Sequence, residues 1–268
     1  MSDKQEKIRA DVLLVSQGLV SSRERAQALI MAGEVYFGES QVRKASQQFG
    51  PEDSLTLRPH GVGYVSRGAL KLVRGLEVFP VDPRGRDAMD IGASTGGFTD
   101  VLLQNGALKV YAVDVGYGQL AWKLRQDSRV VNLERCNLRY LTEEQVPEIL
   151  DLAVMDVSFI SIRLILPVIR RFLKNGADFI CLIKPQFEAG REQVGKKGVV
   201  RDASVHERVI AECLDAAKKD GYSVAGLDYS PIRGPEGNIE FLCHLKNELS
   251  SGIEPDIALV VNSAHGGI

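Results

Sequence analysis

The 268-residue sequence predicts an α/β fold, a doubly wound sheet of seven strands, with a small α+β unit ahead of it. Three observations predict this. Apolar runs at 87–91, 109–114, 130–134, 151–156, 178–185, 223–229 and 239–245 recur between turns and helical patterns, as the strands of successive βαβ units do. The first run feeds straight into a glycine turn and a helix. The first 58 residues carry shorter elements, and Arg58-Pro59-His60-Gly61-Val62-Gly63 follows them with Pro and Gly but no periodicity.

In the amino-terminal unit, Ile8, Val12, Leu13 and Leu14 predict a short helix closed by Gly18. Ser21-Ser22 caps a second helix over 23–31, whose apolar side is Ala26, Leu29 and Ile30, and Ala32-Gly33 ends it. Val35-Tyr36-Phe37, a Gly38-Glu39 turn and Val42 predict a hairpin, and Leu55-Thr56-Leu57 a further strand. Arg23 and Arg25 lie near the exposed start of the second helix, with Arg9, Arg43 and Lys44 to join them. Residues 1–74 hold 11 Lys and Arg against 8 Asp and Glu, leaving 22 against 27 afterwards, so this basic end suits an anionic partner. A plain solvated helix face is the other reading of the same charges. Beyond the linker, Ser66 is placed to cap a helix with Arg67, Lys71 and Arg74 on one face at i, i+4 and i+7. Such a row repels itself unless carboxylates or an anion lie opposite.

The chain is organised around Asp90-Ile91-Gly92-Ala93-Ser94-Thr95-Gly96-Gly97-Phe98-Thr99-Asp100. Asp87 to Ile91 reads as a buried parallel strand, and Phe98, Val101, Leu102 and Leu103 have helical spacing. Glycines let backbone approach a ligand, and a helix start offers free N–H groups. The spacing is neither the dinucleotide GxGxxG nor a P-loop. The second strand ends in Asp114, which can accept from both ribose hydroxyls of a nucleoside cofactor. With no pyrophosphate cradle in the turn, S-adenosylmethionine fits better than NAD. The third strand leads to Cys136-Asn137, the fourth ends in Asp156 before Val157-Ser158-Phe159-Ile160-Ser161, a helix is expected over 164–172, and the fifth strand ends in Lys184. An amphipathic helix over 204–219 and two more strands complete the series.

Asp114, Asp156 and Lys184 therefore share the carboxyl rim of the sheet, where ligands of such folds bind. An unpaired ammonium at the end of a buried strand is costly, so Lys184 needs a partner. No apolar run reaches membrane-spanning length, and Met1-Ser2-Asp3-Lys4 opens a charged, not an apolar, start, so a cytoplasmic protein without membrane insertion is expected. Cys136, Cys181, Cys213 and Cys243 and the four histidines show no ligand spacing, so reduced core cysteines and no metal are expected.

Two resemblances add to this. Ile8-Arg9-Ala10-Asp11, Gly18 to Ala26, Ile30 to Val35 and Asp53 to Leu57 resemble the S-four RNA-binding domain, which implies that Arg9, Arg23, Arg25, Arg43 and Lys44 meet RNA. Val65 to Leu72, Asp90 to Asp100, Met155 to Ser161, Leu182-Ile183-Lys184-Pro185-Gln186-Phe187-Glu188 and Gly237-Asn238-Ile239-Glu240-Phe241 resemble the TlyA family and the wider FtsJ-type ribose 2′-O-methyltransferases. The resemblance implies a Rossmann-like class I methyltransferase with S-adenosylmethionine as cofactor and ribosomal RNA or ribosomal subunits as partner. It places a catalytic tetrad on Lys71, Asp156, Lys184 and Glu240, and the cofactor on Gly92, Ala93, Ser94, Thr95, Gly96, Gly97, Phe98, Asp114, Asn137 and Asp156. Arg67 joins the RNA-binding set. Asn137 stands where related enzymes usually carry an aspartate. The implied domains are 1–59 for RNA binding, 60–64 as linker, 65–246 for methyl transfer, and a tail at 247–268 of unread role. An RNA-binding protein with an inactive transferase fold and a hemolysin, the family's older label, are the competing readings. A base methyltransferase would carry a catalytic Cys or an Asn/Asp-Pro-Pro-aromatic turn after the fourth strand, and Asp156-Val157-Ser158-Phe159 is not that turn.

Overall fold

The computed structural model describes residues 7–20, 22–31, 33–38, 40–57, 63–195 and 197–267. Ser21, Ala32, Glu39 and the linker positions 58–62 of the expectations above lie outside them. The chain forms two compact units, Met1–Arg67 and Gly68–Ile268.

In the first unit β1 (Ile8–Arg9) pairs antiparallel with β4 (Gln48–Phe49), and β2 (Val35–Phe37) sits between β3 (Ser40–Gln41) and β5 (Leu55–Leu57). The hairpin is where the sequence places it, with Tyr36 opposite Gln41. Helices α1 (Ala10–Ser16) and α2 (Arg23–Met31) bury Leu13, Leu14, Ala26, Leu29 and Ile30 against Val35, Val42, Phe49 and Leu55. Ile8 is in a strand, not the first helix: it pairs with Phe49, and Arg9 is extended at φ −67°, ψ 147°.

The second unit is a seven-stranded sheet. Its strands are β6 (Asp87–Ile91), β7 (Lys109–Val113), β8 (Val130–Leu133), β9 (Leu150–Met155), β10 (Leu173–Ile183), β11 (Ser223–Tyr229) and β12 (Phe241–Lys246), in the order β11-β12-β10-β9-β6-β7-β8. All neighbours are parallel except β12, which runs antiparallel to both β10 and β11. The order reverses at β6, so the crevice of a doubly wound sheet opens between β6 and its neighbours. One face carries α3 (Ala69–Val78) and α4 (Gly97–Gln104); a Cβ on Gly75 of α3 would lie 3.3 Å from Ile180 of β10. The other face packs Phe179, Cys181 and Ile183 with Val209, Ile210 and Cys213 of α8 (Ala203–Lys219), and two one-turn helices, α5 (Trp122–Arg125) and α7 (Pro185–Glu188), follow β7 and β10.

Four departures from the sequence reading have plain causes. Helix α3 starts after Gly68, so Arg67 precedes it and does not share a face with Lys71 and Arg74. Pro167 confines the expected 164–172 helix to α6 (Leu166–Arg170), after a 3₁₀ turn at Ile162–Leu164. Strand β10 starts five residues early: Leu173 pairs with Leu150, and exposed Lys174 and Asn175, which carry no apolar signal, lie in the irregular stretch before the pairing resumes at Asp178. The tail holds α9 (Ile257–Gly267), whose Val261 and Ala264 are buried in the main core and whose first turn is capped by Asp256, accepting from Leu259 N at 2.9 Å.

Candidate active site

Four elements of the second unit bring charged residues to one point on the carboxyl rim. Helix α3 supplies Lys71, the end of β9 Asp156, and the end of β10 Lys184. Because β12 is antiparallel, its starting end lies on the same rim and delivers Glu240. Lys71 Nζ is 2.6 Å from Glu240 Oε2 and 3.0 Å from Asp156 Oδ2. Lys184 Nζ pairs with Asp156 Oδ1 and donates to Ser158 Oγ at 3.1 Å. The result is a continuous row, Glu240–Lys71–Asp156–Lys184, of alternating sign. Lys71, Lys184 and Glu240 are 7%, 5% and 0% exposed, so no one of them is tolerable there without its neighbours. Burial works against the Lys71 ammonium, but Asp156 and Glu240 overcome it and hold the group above its ordinary pKa. Burial likewise opposes the Asp156 carboxylate, and Lys71 and Lys184 reverse the effect and bring its pKa below the ordinary value. Both groups are charged, and Lys71 is not a proton acceptor.

Asp156 also lines a cavity of about 400 Å³ with Gly92, Ser94, Asp114, Asn137 and Phe159. The turn that forms its floor requires glycine twice. At Gly92, φ +81°, a Cβ would come within 2.7 Å of Asp156 O; at Gly96, φ +93°, it would lie 2.2 Å from Leu124 Cδ1. Asp114 is held open to the cavity by two backbone donors, Ser94 N to Oδ2 at 2.8 Å and Gly116 N to Oδ1 at 2.6 Å. Each oxygen keeps a second lone pair for a ligand hydroxyl. Asn137 Oδ1 accepts from Arg139 N at 3.1 Å, so it caps the following 3₁₀ turn while facing the cavity. Val113, Leu138 and Ile165 give an apolar wall. A glycine floor, a carboxylate with free lone pairs and an apolar slot fit a nucleoside such as that of S-adenosylmethionine.

Of the predicted cofactor residues, Gly92, Ser94, Asp114, Asn137 and Asp156 line this cavity; Ala93, Thr95, Gly96, Gly97 and Phe98 shape the turn from behind and do not. Sequence reasoning passes over Gln119 and Ser158. It also passes over Phe159, which is 90% exposed at φ +65° with its ring 5.0 Å from that of Phe187. Asp90 reads in the sequence only as strand. It is fully buried, accepts from Thr99 N at 2.8 Å and Thr99 Oγ1 at 2.7 Å, and burial pushes its pKa up to about 7. An Asp followed nine residues later by a hydroxyl at a helix start is the available signal.

The predicted RNA-binding residues of the first unit are on its surface. Arg9 and Arg23 are both tied to buried Asp11, while Arg25, Arg43 and Lys44 are exposed. Arg67 is half-buried at the end of that unit.

A doubly wound seven-stranded sheet with a glycine-floored cavity after its first strand and an acid after its second defines a class I methyltransferase. The description FtsJ-like methyltransferase matches residues 64–247, and the S4 domain matches residues 8–55. The chain belongs to the FtsJ-like methyltransferase family, in its TlyA branch, with an S4 domain at its amino end. It is 44% identical over 241 residues to the 16S/23S rRNA (cytidine-2′-O)-methyltransferase TlyA of Mycobacterium tuberculosis, covering 90% of each chain. Hemolysin A of Brachyspira hyodysenteriae is 40% identical over 238 residues, 88% of this chain and 99% of that one. The solved structure of a protein described as a hemolysin from Streptococcus thermophilus superposes with a TM-score of 0.78 at 46% identity, covering 98% of this chain and 97% of that one.

Proposed function

We propose that this chain is an S-adenosylmethionine-dependent methyltransferase acting on a ribose 2′-oxygen of structured ribosomal RNA. The observation that carries the reading is the double position of Asp156, which lines the nucleoside-shaped cavity and pairs with both buried lysines. Cofactor site and charged row are thereby one site. This favours methyl transfer over membrane lysis for a chain whose relatives carry both names, and over a retained but idle transferase fold.

The cofactor, when bound, supplies a methyl group already activated on a sulfonium; the chain must align an oxygen with it and stabilise that oxygen. Asp114 accepts from the cofactor's ribose hydroxyls, Asn137 faces its adenine, and the Gly92 turn admits it. An ammonium has three donors, and Lys184 gives one to Asp156 and one to Ser158, leaving one for the incoming hydroxyl oxygen. A cation at that oxygen stabilises charge developing as the O–CH3 bond forms and the S–CH3 bond breaks, and the hydroxyl proton, which a charged lysine does not accept, leaves to water. Lys71 and Glu240 fix Asp156, and so fix Lys184. The S4 unit, residues 1–59, holds the RNA through Arg9, Arg23, Arg25, Arg43 and Lys44, and residues 65–246 carry out the transfer. A cytoplasmic place of action follows from ribosomal RNA as substrate.

The test is transfer of labelled methyl to rRNA from cells lacking this chain. The product is expected to resist alkaline cleavage at one bond, because a methylated 2′-oxygen cannot attack its phosphate. Lys184→Ala is expected to lower turnover by about 10²–10³-fold, with cofactor and RNA affinity unchanged. Label on a base, or full turnover in Lys184→Ala, would overturn the reading.

A further inference from the structure

The charged row sums to zero: two lysines face two carboxylates. It can orient a hydroxyl, but it offers no net attraction to the phosphates on either side of that hydroxyl. A second cavity on the same unit, about 320 Å³, does. It is lined by Arg201, Arg233, Glu236, Ile239 and His265, which come from three separate segments: the loop before α8, the loop before β12, and α9.

Buried polar pairs hold these segments together. Asn238, 3% exposed, accepts from Val200 N at 3.1 Å and donates to Gly198 O at 2.9 Å. Buried His206 faces the Val200 carbonyl with Nε2 at 3.2 Å, so that nitrogen carries the proton. Its Nδ1 therefore accepts from His265 Nε2 at 3.0 Å, which ties α9 to the wall. The Arg201 guanidinium is left for other work: it is exposed and makes no hydrogen bond or ion pair with the described residues. Arg233 donates to Gly237 O at 3.1 Å, which sets the direction of its guanidinium. The loop that carries Arg233 lies on the charged row itself: a Cβ on Gly234 would come 2.2 Å from Glu240 Oε1, and Ile239 on the cavity wall is the residue before Glu240.

We propose that this cavity is a phosphate subsite, in which Arg201 and Arg233 hold an RNA phosphodiester close to the nucleotide being methylated. The inference rests on the rRNA reading above and adds to it the residues that seat the substrate backbone at the site of transfer. Guanidinium forks match phosphate oxygens in geometry as well as charge. Glu236 on the same lining opposes an anion, so removing it and removing an arginine must act in opposite directions. A wall with only a structural role would show no such pair of signs.

The test uses the full chain, total rRNA from cells lacking it, and Arg201→Ala, Arg201→Ala with Arg233→Ala, Arg201→Lys and Glu236→Gln. The double variant is expected to raise KM for RNA about tenfold with kcat nearly unchanged. The salt dependence of RNA binding should flatten by about 0.7–0.9 in log–log slope for each phosphate the variant no longer holds. Arg201→Lys should restore part of the slope, Glu236→Gln should lower KM, and cofactor affinity should not move. Unchanged KM and slope in the double variant, with the wild type still methylating rRNA, would overturn the subsite and leave the function standing. No methyl on rRNA from the wild type would overturn both. Calorimetric binding of inorganic phosphate, lost in the double variant while the RNA slope stays unaltered, would assign the cavity to a small free anion and overturn the inference.

Discussion

Asp11 in the first unit and Asp156 in the second each bind two cationic side chains, and the two arrangements differ in where the cations point. Asp11 is fully buried and accepts from Arg9, at 2.9 and 3.1 Å, from Arg23 at 2.9 Å and from Gln27 at 3.0 Å. The hydrogen bonds from Arg9 lead in holding its carboxyl well below the usual carboxylate range. The arginines stand 44% and 53% exposed, so their remaining N–H groups face outward. Around Asp156 the lysine side chains are only 8% and 7% exposed. A guanidinium on a surface stem can serve a carboxylate and a large partner together. A buried ammonium can serve only its carboxylates and one small group admitted to the site.

The comparison predicts unequal costs for losing the carboxylate. Asp156→Ala leaves Lys184 buried with only Ser158 and Lys71 with only Glu240, and is expected to cost about 3–5 kcal/mol of stability. Asp11→Asn lets Arg9 and Arg23 hydrate where they stand, and is expected to cost about 1–2 kcal/mol. Urea unfolding of the two variants measures both. Equal losses would mean that exposure of the cations does not decide the cost.

Asp90 sharpens the contrast because it is equally buried but has no cation, only the two neutral donors of Thr99. Its pKa is accordingly pushed up to about 7, from 3.8 in an open chain. Between those values the folded chain holds a proton that the unfolded chain does not. The contribution is fully present below about pH 4 and is lost as the pH rises through about 7. Three pKa units at 1.36 kcal/mol each amount to on the order of 4 kcal/mol. Asp90→Asn removes the titration and keeps an oxygen for Thr99. In the cofactor-free chain the wild type should lose stability more steeply than this variant from pH 5 to pH 8. Parallel profiles would show that Asp90 is ionised throughout.

What was legible follows from which interactions are local in the chain. Asp114, Asp156 and Lys184 announce themselves as polar residues ending apolar runs, and a parallel sheet brings such ends together without further information. Glu240 does not, because it precedes its strand; only the antiparallel direction of β12 puts it on the same rim, and no residue pattern states a strand's direction. In this sequence the resemblance, not the spacing, supplied Glu240 and Lys71. The start of α3 is hard to read because Ser66 looks like a cap, whereas Gly68 takes that position with no side-chain bond. Helix α9 is not legible although Asp256 caps it, since its β-branched and Gly-Gly residues read as neither helix nor strand. The Arg201–Arg233 cavity is illegible for the same reason as Glu240: it joins two loops and helix α9, whose nearness is decided by Asn238 and His206.

The smallest expected effect lies in the first unit and tests whether its outward cations are used. Arg23 and Arg25 both begin α2, but Arg23 is fixed on Asp11 while Arg25 is exposed without an ion pair among the described residues. If the S4 unit meets RNA phosphates, removing either should weaken RNA binding severalfold and flatten its salt dependence by about 0.7–0.9 in log–log slope. Arg23→Ala should cost more affinity than Arg25→Ala, because a side chain already held in place loses less freedom when it binds. Asp11→Asn should then bring Arg23 down to the level of Arg25, an effect that charge alone does not predict, since removing a carboxylate raises the attraction for RNA. Cofactor affinity should be the same in all three variants. An unaltered slope in Arg23→Ala with Arg25→Ala would mean that the RNA is held by the second unit alone, and that the pair on Asp11 only closes the amino-terminal fold.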